Sequence, residues 1–112
     1  LNYLAGKIKT EFMINHVVLF KLKEFKSDTE KNDIRSKFVN ALLDLKDKID
    51  VLKHIEVGSH YTLNAPSYDI ALITHFESLE DLEAYKVHPD HLKVVEFVKE
   101  IITERAAVDF EF

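Results

Sequence analysis

The sequence predicts an α+β domain: one four-stranded antiparallel sheet, helices on one of its faces, and a second copy of the chain against the other. Three observations carry that expectation. Strand-like and helix-like stretches follow one another in the order β-α-β-β-α-α-β. Both alternating residue sets of the strands are largely apolar, so neither sheet face is written for water. The length of 112 residues permits a single core.

Ile14 to Leu22 reads as the first strand, with His16, Val18, Phe20 and Leu22 alternating against Val17, Leu19 and Lys21. Ser27-Asp28-Thr29-Glu30 has the spacing of a capping box and predicts a helix running to Ile49. Its buried stripe is Ile34, Phe38, Ala41, Leu42, Leu45 and Ile49. Val51 to Leu63 reads as the second strand, where Gly58 marks a bulge or a close backbone approach. After a turn at Asn64-Ala65-Pro66-Ser67, Tyr68 to Phe76 forms the third strand. Ser78, three residues before Asp81, caps a short helix with the stripe Leu79, Leu82 and Tyr85. Pro89 biases His88 away from the helical region and suits the first position of a new helix. That helix carries Leu92, Val95, Val98 and Ile102, with Val94, Phe97 and Ile101 beside them, and Ala107 to Phe112 closes the sheet.

This order is the split-βαβ, ferredoxin-like pattern. The face without helices would carry residues such as Val18, Phe20, Ile70 and Leu72, or their alternates. Burying each such side chain contributes about 1.5–3 kcal/mol, so a homodimer with its sheets facing each other is expected. Leu1 to Phe12 precede the only methionine, Met13, and read either as an N-terminal arm or as a remnant of cloning or of an upstream start. Residues 13–112 read as the domain.

Composition narrows the function. There is no cysteine, which removes disulfides, thiolate metal sites and cysteine nucleophiles. The net charge of −5 disfavours nucleic acid as a partner, and no apolar run is long enough for a membrane span. With two glycines there is no phosphate-cradling loop and no Gly-x-Ser-x-Gly elbow. The first twelve residues lack the apolar centre of a secretory signal, so a cytoplasmic location is expected.

The opening Ile14-Asn15-His16-Val17-Val18-Leu19-Phe20-Lys21-Leu22, the junction Phe76-Glu77-Ser78 and the run Tyr85-Lys86-Val87-His88-Pro89-Asp90-His91 resemble the stress-responsive A/B barrel (Dabb) family. That family is a branch of the dimeric α/β-barrel superfamily, and the likeness covers Met13 to Phe112. It implies two ferredoxin-like sheets paired into one barrel. Plant members that look like this chain include cofactor-free polyketide cyclases, and the wider superfamily contains cofactor-independent monooxygenases and haem-degrading enzymes. The resemblance thus implies a hydrophobic small-molecule ligand in a sheet–helix cavity. Two enzymatic alternatives stand beside it: a cyclase or lyase-like reaction on a keto compound, and a cofactor-independent oxygenation.

In the cyclase alternative His91 is the general base, matching the family's histidine, and the tyrosine matching Tyr85 assists it by hydrogen bonding. His16 supplies a further polar group on the sheet face assigned to the barrel interior. Standing in the first turn of a helix, a partly buried His91 should be neutral near pH 7 and able to take a proton from a carbon acid. The expected pocket adds Val18, Phe20, Ile70, Leu72 and His88, and Ile70 stands where the cyclases place another pocket histidine. The plainer account of the run is that His88 and His91 cap and solvate a helix start while Tyr85 packs beneath it. His88 and His91 straddle a helix start with no third ligand fixed by spacing, so neither a metal nor a cofactor is expected.

Overall fold

The computed structural model describes residues 12–112; residues 1–11, most of the expected arm, lie outside the described residues. Four strands and three helices follow one another: β1 (Ile14–Leu22), α1 (Asp28–Leu43), β2 (His54–Ser59), β3 (Ile70–Phe76), α2 (Leu79–Val87), α3 (Pro89–Ile101) and β4 (Ile102–Glu111). The sheet is antiparallel in the order β2-β3-β1-β4, the ferredoxin-like arrangement, with β1 and β3 at its centre.

Helix starts follow the expected chemistry. Ser27 and Ser78 each adopt extended backbone, and their hydroxyls accept from the amides of Glu30 and Asp81. The first helix is shorter than its apolar stripe suggested. It ends at Leu43 and tightens into a 3₁₀ turn, Asp44–Asp47, which still brings Leu45 and Ile49 into the core. Leu79 and Leu92, expected on buried stripes, are exposed; the inner face of α3 runs through Val94, Phe97, Val98 and Ile101.

The strands differ at their ends for physical reasons. The second strand spans only His54–Ser59, because Leu52 leaves the ladder to bury itself in the core. Gly58 is neither a bulge nor a close approach: it pairs with Ala71 in regular register, and a Cβ there would touch nothing. The fourth strand begins at Ile102 rather than Ala107, so α3 passes into β4 without a loop.

Strand alternation decides what each sheet face does. His16, Val18, Phe20 and Leu22 of β1, with Ile70, Leu72, Thr74 and Phe76 of β3, are buried on the helix side. The apolar face without helices is therefore made by the alternates: Val17 and Leu19 beside Ala71 and Ile73 on one flank, and beside Ala106 and Val108 on the other. Val18, Phe20, Ile70 and Leu72 belong to the covered core. His16 likewise lies beneath the helices and not on the open face.

The core centres on Phe38, which meets Phe20 edge-on at 4.9 Å between ring centroids, with Phe76 and Tyr85 equally buried. A buried carboxylate ties the long connection between β2 and β3 to this core. Asp69 Oδ2 accepts from the Leu22 amide at 2.8 Å, and the Lys21 and Lys31 ammonium groups approach its two oxygens to 3.7 Å. Lys21 also donates to the Ala65 carbonyl, so one network joins β1, α1 and the connection. Removing the carboxylate leaves a buried lysine uncompensated and an amide unpaired. Asp69→Ala is expected to lower unfolding free energy by about 3–5 kcal/mol in urea titrations, and Asp69→Asn by less.

Candidate functional site

The site grows from the break between α2 and α3. Pro89 drives His88 to extended backbone (φ −61°, ψ 135°), which ends α2 and starts α3. His88 then caps the new helix: its Nδ1 accepts from the Asp90 amide at 3.1 Å, and its carbonyl accepts from the Leu92 amide at 2.9 Å. Its imidazole serves the backbone in this way and does not line the cavity described below.

Tyr85 comes from the last turn of α2 and His91 from the first turn of α3, with ring centroids 4.3 Å apart. His91 Nδ1 lies 3.0 Å from the Lys86 carbonyl oxygen. A carbonyl only accepts, so Nδ1 carries the hydrogen and the neutral ring keeps its lone pair on Nε2. Burial lowers the His91 pKa from its ordinary 6.5; the Lys86 carbonyl opposes that shift, while the His16, Arg105 and His88 charges add to it. The neutral state expected from the helix start is thus held mainly by desolvation.

His16 completes the polar end. It is buried on β1, its ring centroid 6.5 Å from that of Tyr85, and its Nδ1 hydrogen-bonds the Asp109 carboxylate of β4. The register brings them together, since His16 stands opposite Asp109 on one side and Thr74 on the other. Tyr85 is fully buried, and no group among the described residues hydrogen-bonds its hydroxyl. Burial pushes its pKa up to about 12, with the Arg105 charge working the other way, so it stays a donor.

These groups open onto a cavity of about 240 Å³ between the sheet and α3. Val18, Phe20, Leu42, Leu72, Val94 and Val98 supply apolar walls, and the exposed Lys99 of α3 and Arg105 of β4 are also in the lining. Of the residues singled out in the sequence, His91, Tyr85, His16, Val18, Phe20 and Leu72 line this one space. Ile70 is buried outside it, and His88 is the helix cap. Arg105 lies before the expected start of the fourth strand at Ala107; Asp109 lies inside that expected strand, but its register opposite His16 was not among the expectations. The signal lay in Arg105, Ala107 and Asp109 alternating with apolar Ala106, Val108 and Phe110. Among the described residues there is no group of three or more His, Asp or Glu side chains that could hold a metal.

Fold and site together define a ferredoxin-like domain with a histidine- and tyrosine-lined cavity under its helices. Residues 14–112 match the stress-responsive A/B barrel domain, and the chain belongs to that family. A stress-response A/B barrel domain-containing protein of Arabidopsis thaliana is 35% identical over 88% of the chain, which corresponds to 46% of that relative. A second from the same plant is 36% identical, with 36% of its length covered; the chain spans less than half of these curated relatives. Among solved structures, a dimeric ferredoxin-like protein of unknown function from Bacteroides fragilis is similar at a TM-score of 0.80 and 36% identity, covering 89% of this chain and 96% of that one. A dimeric ferredoxin-like protein from Thermobifida fusca follows at 0.77 and 26%, covering 94% and 95%.

Because His91 is favoured neutral when folded, the unfolded chain takes up this proton first as pH falls. The stability due to the neutral ring is complete above pH 6.5 and is lost as pH drops from 6.5 through the lower folded value. A His91→Gln variant lacks this titration. Between about pH 7 and pH 5 its urea midpoint should fall less than that of the unsubstituted protein.

Proposed function

We propose that the chain acts as a cytoplasmic homodimer whose domain, residues 13–112, takes a hydrophobic small molecule into the sheet–helix cavity of each protomer. The single observation carrying this reading is the Tyr85 hydroxyl, buried and without a hydrogen-bond partner among the described residues, beside His91 and His16 in a largely apolar space. A buried unmade hydrogen bond costs about 1–3 kcal/mol, which a ligand bearing one polar group would offset. Apolar walls with a few convergent polar groups are the common character of small-molecule sites.

Dimerisation is supported by the open sheet face, where Val108 is 56% and Phe110 45% exposed next to Val17 and Leu19. The similar proteins from Bacteroides fragilis and Thermobifida fusca are described as dimeric. No helix among the described residues is long and apolar enough to cross a membrane.

The tautomer of His91 favours a second reading, proton transfer. With Nδ1–H held by the Lys86 carbonyl, Nε2 is a fixed base, and the protonated Tyr85 hydroxyl is a donor beside it. In that reading a bound keto compound loses a proton from carbon to Nε2. His91→Ala would then abolish turnover while leaving the dimer and ligand affinity in place.

Sedimentation should give a dimer at micromolar concentration. Val108→Glu puts an unpaired carboxylate on the apolar face, and its dimer dissociation constant should rise by about 100-fold or more with helical content unchanged. Tyr85→Phe tests the cavity: stability should hold or rise by up to about 1 kcal/mol, while calorimetric affinity for 1-octanol falls about tenfold. Absence of any apolar ligand, together with a stability loss in Tyr85→Phe, would overturn the ligand-binding reading.

A further inference from the structure

We propose that the cavity selects ligands with a monoanionic head, a carboxylate first among them, on an apolar body of about ten non-hydrogen atoms. The inference rests on the ligand-binding reading above and specifies the chemistry of what binds.

The walls divide into two chemical regions. Phe20, Leu42, Leu72 and Val98 present hydrocarbon alone, while His16, Tyr85, His91 and Arg105 present hydrogen-bonding groups. Arg105 is the permanent cation of the second region. Register sets it on the helix side of the sheet, opposite Phe20, and its charge bears on both Tyr85 and His91. Among the described residues Arg105 has no ion-pair partner.

The neighbouring charges leave that cation available. Asp109, two alternate positions along the same strand face, is engaged with His16. Lys99, the other cation lining the cavity, lies 3.5 Å from Glu96 in an exposed pair of little energetic weight. Neither imidazole adds negative charge to this region: His16 is hydrogen-bonded to the Asp109 carboxylate, and burial favours the neutral form of His91. An entering carboxylate therefore meets a guanidinium suited to two parallel N–H···O bonds. A cationic head would meet Arg105 and Lys99 with no free carboxylate among the lining residues.

Size sets the body. A cavity of about 150 Å³ accommodates the six carbons of benzene, so one of 240 Å³ takes roughly ten non-hydrogen atoms. Octanoate has that size and is a suitable probe, and 1-octanol and octylammonium match its length with neutral and positive heads.

The test is calorimetric titration of the full chain and of Arg105→Gln with these three compounds at low salt. Octanoate should bind the unsubstituted protein about tenfold tighter than 1-octanol, with octylammonium weakest. Arg105→Gln should bring octanoate to within about threefold of 1-octanol while leaving 1-octanol affinity unchanged, since a glutamine on this exposed strand position removes the charge and spares the apolar walls. Equal binding of octanoate and 1-octanol, or an undiminished octanoate preference in Arg105→Gln, overturns the anion inference and leaves the apolar cavity standing. Failure of all three to bind overturns both. Circular dichroism confirms that Arg105→Gln is folded, and Arg105→Lys, which keeps the charge, should retain most of the octanoate preference.

Discussion

Pro89 has no amide hydrogen, and its ring keeps the preceding residue out of the helical region. His88 is extended in consequence, and one helix becomes two. The polar end of the cavity depends on this. In an unbroken helix residues six apart are separated by about 9 Å along the axis and about 120° around it, so Tyr85 and His91 would face different surroundings. The break folds them onto each other, and it frees the Lys86 carbonyl at the end of the first helix to hold His91 Nδ1. A backbone constraint in one residue thereby fixes the tautomer of another.

The cavity end is polar in a core that is otherwise hydrocarbon, and each polar group is accommodated differently. His16 has the Asp109 carboxylate, Thr74 donates to the His16 carbonyl at 3.0 Å, and His91 has Lys86. Among the described residues the Tyr85 hydroxyl has no hydrogen-bond partner, while its ring packs 4.9 Å from that of Phe76. The ring is thus anchored by apolar packing, and the hydroxyl is held out of water ready to donate. Asp69 is the contrasting case at the other end of the sheet, where a buried charge is surrounded by two lysines and an amide and serves the fold.

Much of this was legible in the amino-acid order. The capping serines, the period-two pattern of β1 and β3 and the proline break are local signals, and each element they marked is present. Tyr85 and His91 could be set on either side of the histidine-proline break and His16 on its strand from local pattern, while their grouping at one cavity was implied by the family resemblance. The start of β4 could not be placed in that way. A strand fed directly from a helix has no turn residues to announce it, and Thr103, Glu104 and Arg105 look polar because only one flank of that edge strand is covered. With that start went Arg105, and with the register went the pairing of Asp109 with His16. Which of two equally apolar strand faces lies under the helices was also undecided by pattern, since composition does not distinguish them; tertiary packing does.

The alternation in β1 separates two kinds of constraint along a single stretch of chain. Even-numbered residues from His16 to Phe20 answer to the cavity, and the odd-numbered Val17 and Leu19 answer to the open face. Substitution at one set can retune the interior chemistry without disturbing what the other set presents, so the two can drift independently over evolutionary time. A single-residue insertion inside the strand enjoys no such freedom. It would exchange the two sets at once, carrying His16 and Phe20 to the outside and Val17 and Leu19 beneath the helices.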